Sequence, residues 1–356
     1  MTSILEKGTQ SNQTKSATVV DKNPLNLAAS WYVAMLSKEL GKKPKAIQLF
    51  GQDLVAWRDK NGTPVIMERY CSHMGASLAI GEVKDGCIQC PFHHWRYDNE
   101  GNCVSIPDIE NIPPTARQAT YVIEERYGYI WVWYGTSSPL FPLPKYSAAE
   151  DEKHNYMSWR FSFNTKGTVP LLVENLHDSH HLDPVHTLPC DSIQLTILDE
   201  QHSSPQFEPL LKKAAWFSSL IEARIKSYVG PLGAIAQVLG FKGIDYSHRT
   251  ESWPTGHIGT SFLNGEVAVK ALIGTTPVAE NQIILHELFM IKKSGFFLLN
   301  IFYYLFFGWQ NQLSVWEDVK HWNTMKLRRD GAYVKHDRGV LKFREFYQSW
   351  VNKVEV

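Results

Sequence analysis

The sequence has no charge bias. Its 356 residues carry 36 basic and 36 acidic side chains. Nucleic-acid binders usually need a basic excess, so that class is set aside. It also lacks an apolar run of membrane-spanning length. The uncharged run GFFLLNIFYYLFFGW (295–309) has fifteen residues, against the ~20 a spanning helix needs. It reads as buried core or pocket wall, with a peripheral membrane contact beside Lys292 and Lys293 as the rival. Cysteine is scarce and odd in number: Cys71, Cys87, Cys90, Cys103 and Cys190. The N-terminus, MTSILEKGTQSNQTKSATVVDKN, shows no apolar signal core. A disulfide framework is therefore not expected, and a reduced, cytoplasmic compartment is. No internal repeat or low-complexity block stands out.

What is present is aromatic. Twelve Trp, 15 Tyr and 17 Phe suit either a roomy apolar pocket or ordinary cores. The length allows two domains. Residues 1–27 read as a mobile tail. From Trp31 to about Tyr134, short runs such as AIQLF, LVAWR, TPVIME and CIQCPF alternate with the turn cues GQD, KNG, KDG and DNEG, the pattern of a β domain. YGYIWVWYG (127–135) has little polar alternation, so a strand covered on both faces is expected. The proline-rich SSPLFPLPKY (137–146) marks a boundary, giving domains of 28–140 and 141–356. The second is α+β, because its strands and helices are segregated. A helix is expected to open near Thr168 or Pro170 and run through the histidine cluster. More helix is expected over 210–239 and over QLSVWEDVKHWNTMKLRRDG (312–331). Strands are expected in HIGTSFLNGEVAVKALIGTTPV and NQIILHELFMIKK.

Two groups of residues carry chemistry. Cys71-Ser-His73 and, sixteen residues on, Cys90-Pro-Phe-His93 can face each other as two loops. Thiolate with imidazole suits zinc or an iron–sulfur cluster. The second group is ENLHDSHHLDPVH (174–186), with four histidines and two aspartates. His177 and His181 share a helix face and come near the HExxH zinc pattern. His181 and His186 are five apart, about 140° past a full turn, but Pro184 favours a break that lets His186 swing back. Asp178 lies one turn before His181.

The stretch CSHMGASLAIGEV…GCIQCPFHHWRYDNEGNCVSIP resembles the Rieske [2Fe–2S] motif. Cys71 and Cys90 would hold one iron, and His73 and His93 the other. Two departures stand out: His94 where relatives usually carry Gly, and Met74 where many carry Arg. C-x-x-H spacing selects His93 over His94 as ligand, and Cys87 and Cys103 match no ligand position. The whole chain resembles the terminal oxygenases of the Rieske non-heme iron family. These carry N-x-x-D-x-x-H-x-x-x-x-H, matched by Asn175, Asp178, His181 and His186. The resemblance implies a catalytic domain with an antiparallel sheet flanked by helices, of helix-grip type. It implies a mononuclear Fe(II) on His181, His186 and a late carboxylate. Asp318 fits this ligand better than Glu317, because it lies with Val315, Trp322 and Met325 on the apolar helix side. It implies that Asp178 bridges electrons from His93 of a neighbouring protomer in a homotrimer. His177 is left as a pocket residue and His180 as a core or surface one.

The expected function is O2-dependent monooxygenation of an apolar or polycyclic organic substrate. Ferredoxin or a flavin reductase would deliver electrons from NAD(P)H. Desaturation, demethylation and dioxygenation use the same machinery. The rivals are a zinc hydrolase built on His177, His181 and Asp178, and a Rieske protein that only transfers electrons.

Overall fold

The computed structural model describes residues 23–186, 189–225, 243–328 and 330–355. The N-terminal part is all β. One three-stranded sheet pairs Ser30–Leu36, Tyr129–Tyr134 and Ile123–Arg126, and a second pairs Lys45–Leu49, Gln52–Arg58 and Pro64–Glu68. A four-stranded sheet of Glu82–Lys84, Cys87–Gln89, Arg96–Tyr97 and Cys103–Ser105 carries the Cys90–His93 loop, and the Cys71–His73 loop lies between Pro64–Glu68 and that sheet. It has its own small core around Trp57, Leu78, Ile88 and Tyr97. The strand Tyr129–Tyr134 is buried from Tyr129 to Trp133, as its unbroken apolar sequence requires.

The C-terminal part is one antiparallel seven-stranded sheet flanked by helices. Its order is Tyr156–Thr165, Gln282–Lys292, Glu266–Ala279, Gly256–Leu263, Ile244–Trp253, Phe217–Ile225, Cys190–Ile197. Pairing aligns residues in rows. Glu287, Ile273 and His257 are directly opposed across three neighbouring strands, and the row two residues on is Phe289, Ala271, Gly259 and Thr250. Alternation by two puts both rows on one face. A helix of 26 residues, Phe297–Trp322, packs on that face, and a second helix, Arg338–Val351, closes the chain.

Both parts share one core. Trp31, Trp131 and Trp133 join Phe141, Trp253 and Trp350 in a single buried cluster. Trp131 meets Trp253 edge-on at 6.2 Å. Thr276 Oγ1 donates to the Val33 carbonyl at 2.6 Å. Leu27, assigned from sequence to the tail, is buried in this core, whereas residues 1–22 lie outside the described residues.

Four expectations are corrected. The helix opening at Val169 stops at Glu174, a turn of 3-10 helix follows over Asn175–His177, and a separate short helix spans Leu182–His186. Within 210–239, residues Phe217–Ile225 form a strand, because Ile221, Ala223 and Ile225 alternate inward; residues 226–242 lie outside the described ones. The late helix begins fifteen residues before 312 and ends at Trp322, not Gly331. The run 295–309 is not a buried core element. Phe296, Phe297 and Leu298 are each more than 70% exposed, while Tyr303, Tyr304 and Phe307 pack on the sheet. A helix apolar all round hides from sequence which stripe it buries.

Candidate metal centres and the cavity between helix and sheet

The two N-terminal loops are near copies in backbone. The Cys71 N–H donates to the Ala76 carbonyl and that of Cys90 to the Trp95 carbonyl. Each Cys carbonyl accepts from the residue four on, Gly75 at 2.9 Å and His94 at 3.1 Å. Gly75 has φ +73° and His94 φ +58°. His94 therefore occupies a left-handed position that favours glycine, which accounts for the Gly usual there. The rings of His73 and His93 lie 4.7 Å apart, and Trp95 stacks flat on His73 at 4.3 Å. Cys71 and Cys90 are buried free thiols, close enough to interact, and burial raises the Cys71 pKa. The Tyr97 hydroxyl lies 3.0 Å from Cys71 Sγ. Two thiols and two imidazoles at the tips of paired loops fit a two-iron cluster with mixed ligands. His73, His93 and His94 are exposed at that tip, beside exposed Met74, Phe92 and Ile80. Cys87 and Cys103 belong to the sheet strands.

The second centre forms where the broken helix meets the long one. His181, His186 and Asp318 each place a ligand atom within 4.8 Å of the others. Two histidines and one carboxylate on one side fit a mononuclear iron with open positions. His181 Nδ1 is buried without a hydrogen-bond partner among the described residues, and Asp178 lies 3.7 Å from it. Asn175 Nδ2 is 3.4 Å from His181 Nε2. His186 is held between two carboxylates, with Glu317 3.1 Å from Nδ1 and Asp318 3.4 Å from Nε2. Ser314 Oγ is also 3.1 Å from Nδ1. Glu317 is thus the rival that sequence placed on the wetter face, yet it reaches the histidine from behind. Its signal was the helical spacing Ser314, Glu317, Asp318.

Burial raises the Asp318 pKa against the pull of His186 and His181. Burial works the other way on His181, but Asp178 and Asp318 outweigh it and hold its pKa above the ordinary value. Burial also opposes ionisation of Asp178, yet His181 and the His180 N–H outweigh it, so that its pKa is lowered. His177 is not with these groups. It is fully buried between Ser219 (2.8 Å) and Ser252 (2.9 Å), and burial lowers its pKa to about 3. His180 is exposed beside His336.

The triad opens into a cavity of about 170 Å³. Its apolar wall includes Ile221, Val269, Ala271, Ile273 and Phe289. Gly259 is required there, since a Cβ would come within 2.8 Å of the His248 ring. Polar groups unforeseen from sequence also line it. Asn311 Nδ2 donates to Glu287 Oε1 at 2.7 Å, while Glu287 Oε2 has no partner among the described residues. Burial pushes the Glu287 pKa up to about 8. His248 Nδ1 meets Ser261 Oγ at 2.8 Å, but its Nε2 and both nitrogens of His257 are unpartnered among the described residues. Burial lowers the His248 pKa to about 4 and that of His257 well below its ordinary value.

Known proteins resemble this chain over most of its length. The family described as Rieske [2Fe-2S] domain matches residues 30–120. The chain is 45% identical over 335 residues to aminopyrrolnitrin oxygenase PrnD of Pseudomonas fluorescens, covering 92% of each chain. It is 31% identical over 337 residues to a 3-ketosteroid-9-alpha-monooxygenase oxygenase component of Rhodococcus rhodochrous, covering 91% of this chain and 82% of the relative. Among solved structures, dicamba monooxygenase bound to dicamba superposes with a TM-score of 0.70 at 19% identity, over 91% of this chain and 97% of that one.

Proposed function

This chain belongs to the Rieske non-heme iron oxygenases, and from that premise we propose how its own residues carry the reaction. It is an oxidoreductase that uses O2, a Rieske [2Fe-2S] cluster and a mononuclear iron to oxidise an organic substrate, working with a ferredoxin or reductase partner. We assign Cys71 and Cys90 to one cluster iron and His73 and His93 to the other. His181, His186 and Asp318 take the mononuclear iron. The observation that carries this reading is that these three ligand atoms lie within 4.8 Å of one another on the wall of a buried cavity.

An iron held there supplies O2 activation. The residues around it do the rest. Glu317 and Ser314 fix the His186 ring through Nδ1 and leave Nε2 for the metal, as second-layer carboxylates do for ligating histidines. Asp178, 3.7 Å from His181 Nδ1, acts on that ring by its charge and not by a hydrogen bond. The apolar wall of Val269, Ala271, Ile273 and Phe289 excludes water beside the metal. Cavities of ~150 Å³ hold a benzene-sized guest, so a cavity of about 170 Å³ favours a one- or two-ring substrate over a steroid. The relative at 45% identity is named for an amino compound, and monooxygenation of such a molecule is our first choice, ahead of demethylation or desaturation.

Asp178 also serves as the bridge that takes electrons from His93 of a neighbouring protomer in a homotrimer. Its side chain is one-third exposed, and the cluster tip presents Met74, Phe92 and Ile80 to solvent, as a surface covered in assembly would. Among the described residues, no helix is long and apolar enough to cross a membrane. The exposed helix face at Phe297, Leu298, Phe302 and Leu305, with Lys292 and Lys293 nearby and no acidic residue from 288 to 316, suits contact with an anionic membrane surface. Cysteines used as cluster ligands suit a reduced, cytoplasmic setting.

Metal analysis with electron paramagnetic resonance tests the core of this reading. One Rieske-type signal plus one further iron per chain is expected, and zinc alone would overturn it. Asp178→Asn should keep both the cluster and the mononuclear iron and abolish substrate-dependent O2 uptake. Light scattering should report a trimer. Phe302→Glu should weaken binding to phosphatidylserine vesicles.

A further inference from the structure

The chain treats its buried histidines in two ways. His177 has both ring nitrogens partnered, by Ser219 and Ser252. His286 likewise meets Ser162 at 2.8 Å and Thr276 at 2.9 Å. Neither lines the cavity. Outside the metal triad, where His181 Nδ1 is also bare, His257 and His248 line it and carry bare nitrogens, two on His257 and one on His248. Glu287 follows the same rule. Asn311 holds one carboxyl oxygen, and the oxygen left over belongs to a side chain that lines the cavity and is 1% exposed. Buried polar groups are costly without partners, so several bare ones gathered on the wall of one cavity point to a ligand that satisfies them.

Their placement defines the ligand. Glu287, Ile273 and His257 are opposed on three adjacent strands, which spaces the two polar residues roughly 10 Å apart at the backbone. Ile273 forms an apolar strip between them. A flat ring can lie on that strip with a polar edge toward either neighbour. A neutral imidazole always offers one donor and one acceptor, whichever tautomer is present.

We propose that Glu287, positioned by Asn311, and His257 are specificity-determining residues. They select one- or two-ring molecules bearing an N–H that can donate over hydrocarbons of the same shape. The inference rests on the oxygenase reading of this cavity and names its substrate class.

Matched ligands test it on the purified iron-loaded protein. Isothermal titration compares indole with indene and aniline with toluene. The wild type is expected to bind the nitrogen-bearing member at least about tenfold more tightly. His257→Phe and Glu287→Leu should each bring the ratio within about threefold while the affinity for indene stays the same, and Glu287→Gln, which keeps a donor and an acceptor, should retain most of the preference. Thermal melting of each variant reports folding, and the two sites on separate strands give independent chances of a folded variant. Equal affinities in the wild type, no binding of either member, or an undiminished preference in a folded His257→Phe or Glu287→Leu would overturn the proposal. Iron content and the Rieske signal are recorded on the same samples. A chain with both but no preference sinks only this inference. A chain without iron sinks the oxygenase reading, and the binding ratio still decides the role of the cavity residues.

Discussion

At the scale of single residues, His177 and His181 differ in what surrounds each ring. His177 is enclosed by two serines and stacks on Phe343. His177→Ala should destabilise the fold by about 3 kcal/mol, from lost packing and two orphaned hydroxyls, measured by urea unfolding. Iron content should be unchanged, whereas a hydrolase built on His177 and His181 would lose its metal. Glu317→Gln should weaken retention of the mononuclear iron roughly 10–100-fold in a chelator competition, with the cluster signal intact. The pair His181 and His186 was legible because both stand in one short motif, but the break was misplaced: it falls before Leu182, and Pro184 lies inside the short helix Leu182–His186. The partner of His186 was not, because Glu317 was judged by the wetness of its face and not by its reach. His94 shows the same limit: spacing set it aside as a ligand, but only the backbone gave its left-handed conformation.

At the scale of elements, the helix Phe297–Trp322 unites most of the site. Asn311, Ser314 and Asp318 follow one another at helical spacing, so one face serves both Glu287 and the triad. The helix is seated by Gly308, where a Cβ would come within 2.4 Å of the Trp159 ring. Gly308→Ala should therefore cost about 1–3 kcal/mol by overpacking, seen as a lower melting temperature, and should loosen iron binding through the displaced Asp318. Sequence placed the carboxylate on a late helix but missed that the helix starts at Phe297, since the apolar run 295–309 has no polar face to give its period. The cavity walls were illegible for another reason. His248, His257 and Glu287 come from three strands, and register brings them together only after the sheet forms.

At the scale of the whole molecule, buried histidines couple stability to pH. Burial holds His177 at about 3, His248 and His286 at about 4, and His257 well below its usual value. Their folded pKa values lie below the unfolded value of ~6.5, so the unfolded chain binds more protons between the two, and stability is lost as pH falls below about 6.5. Glu287, pushed up to about 8, has the opposite sign: its folded form is the more protonated above about 4.5. Four histidines against one glutamate leave a net uptake of about three protons on unfolding near pH 5.5. The urea midpoint should therefore fall steeply from pH 6.5 to 5, and a flat profile would contradict these burial effects.

The buried cluster in which Trp31 and Trp131 meet Trp253 and Trp350 has a consequence for engineering. A cut at the proline-rich connector would divide a tryptophan core, not a hinge. Exchanging the whole N-terminal part with that of a relative should yield insoluble chimeras. A graft limited to Arg69–Ser105, which spans both cysteine–histidine loops, leaves that core whole and is the unit by which the electron input could be retuned.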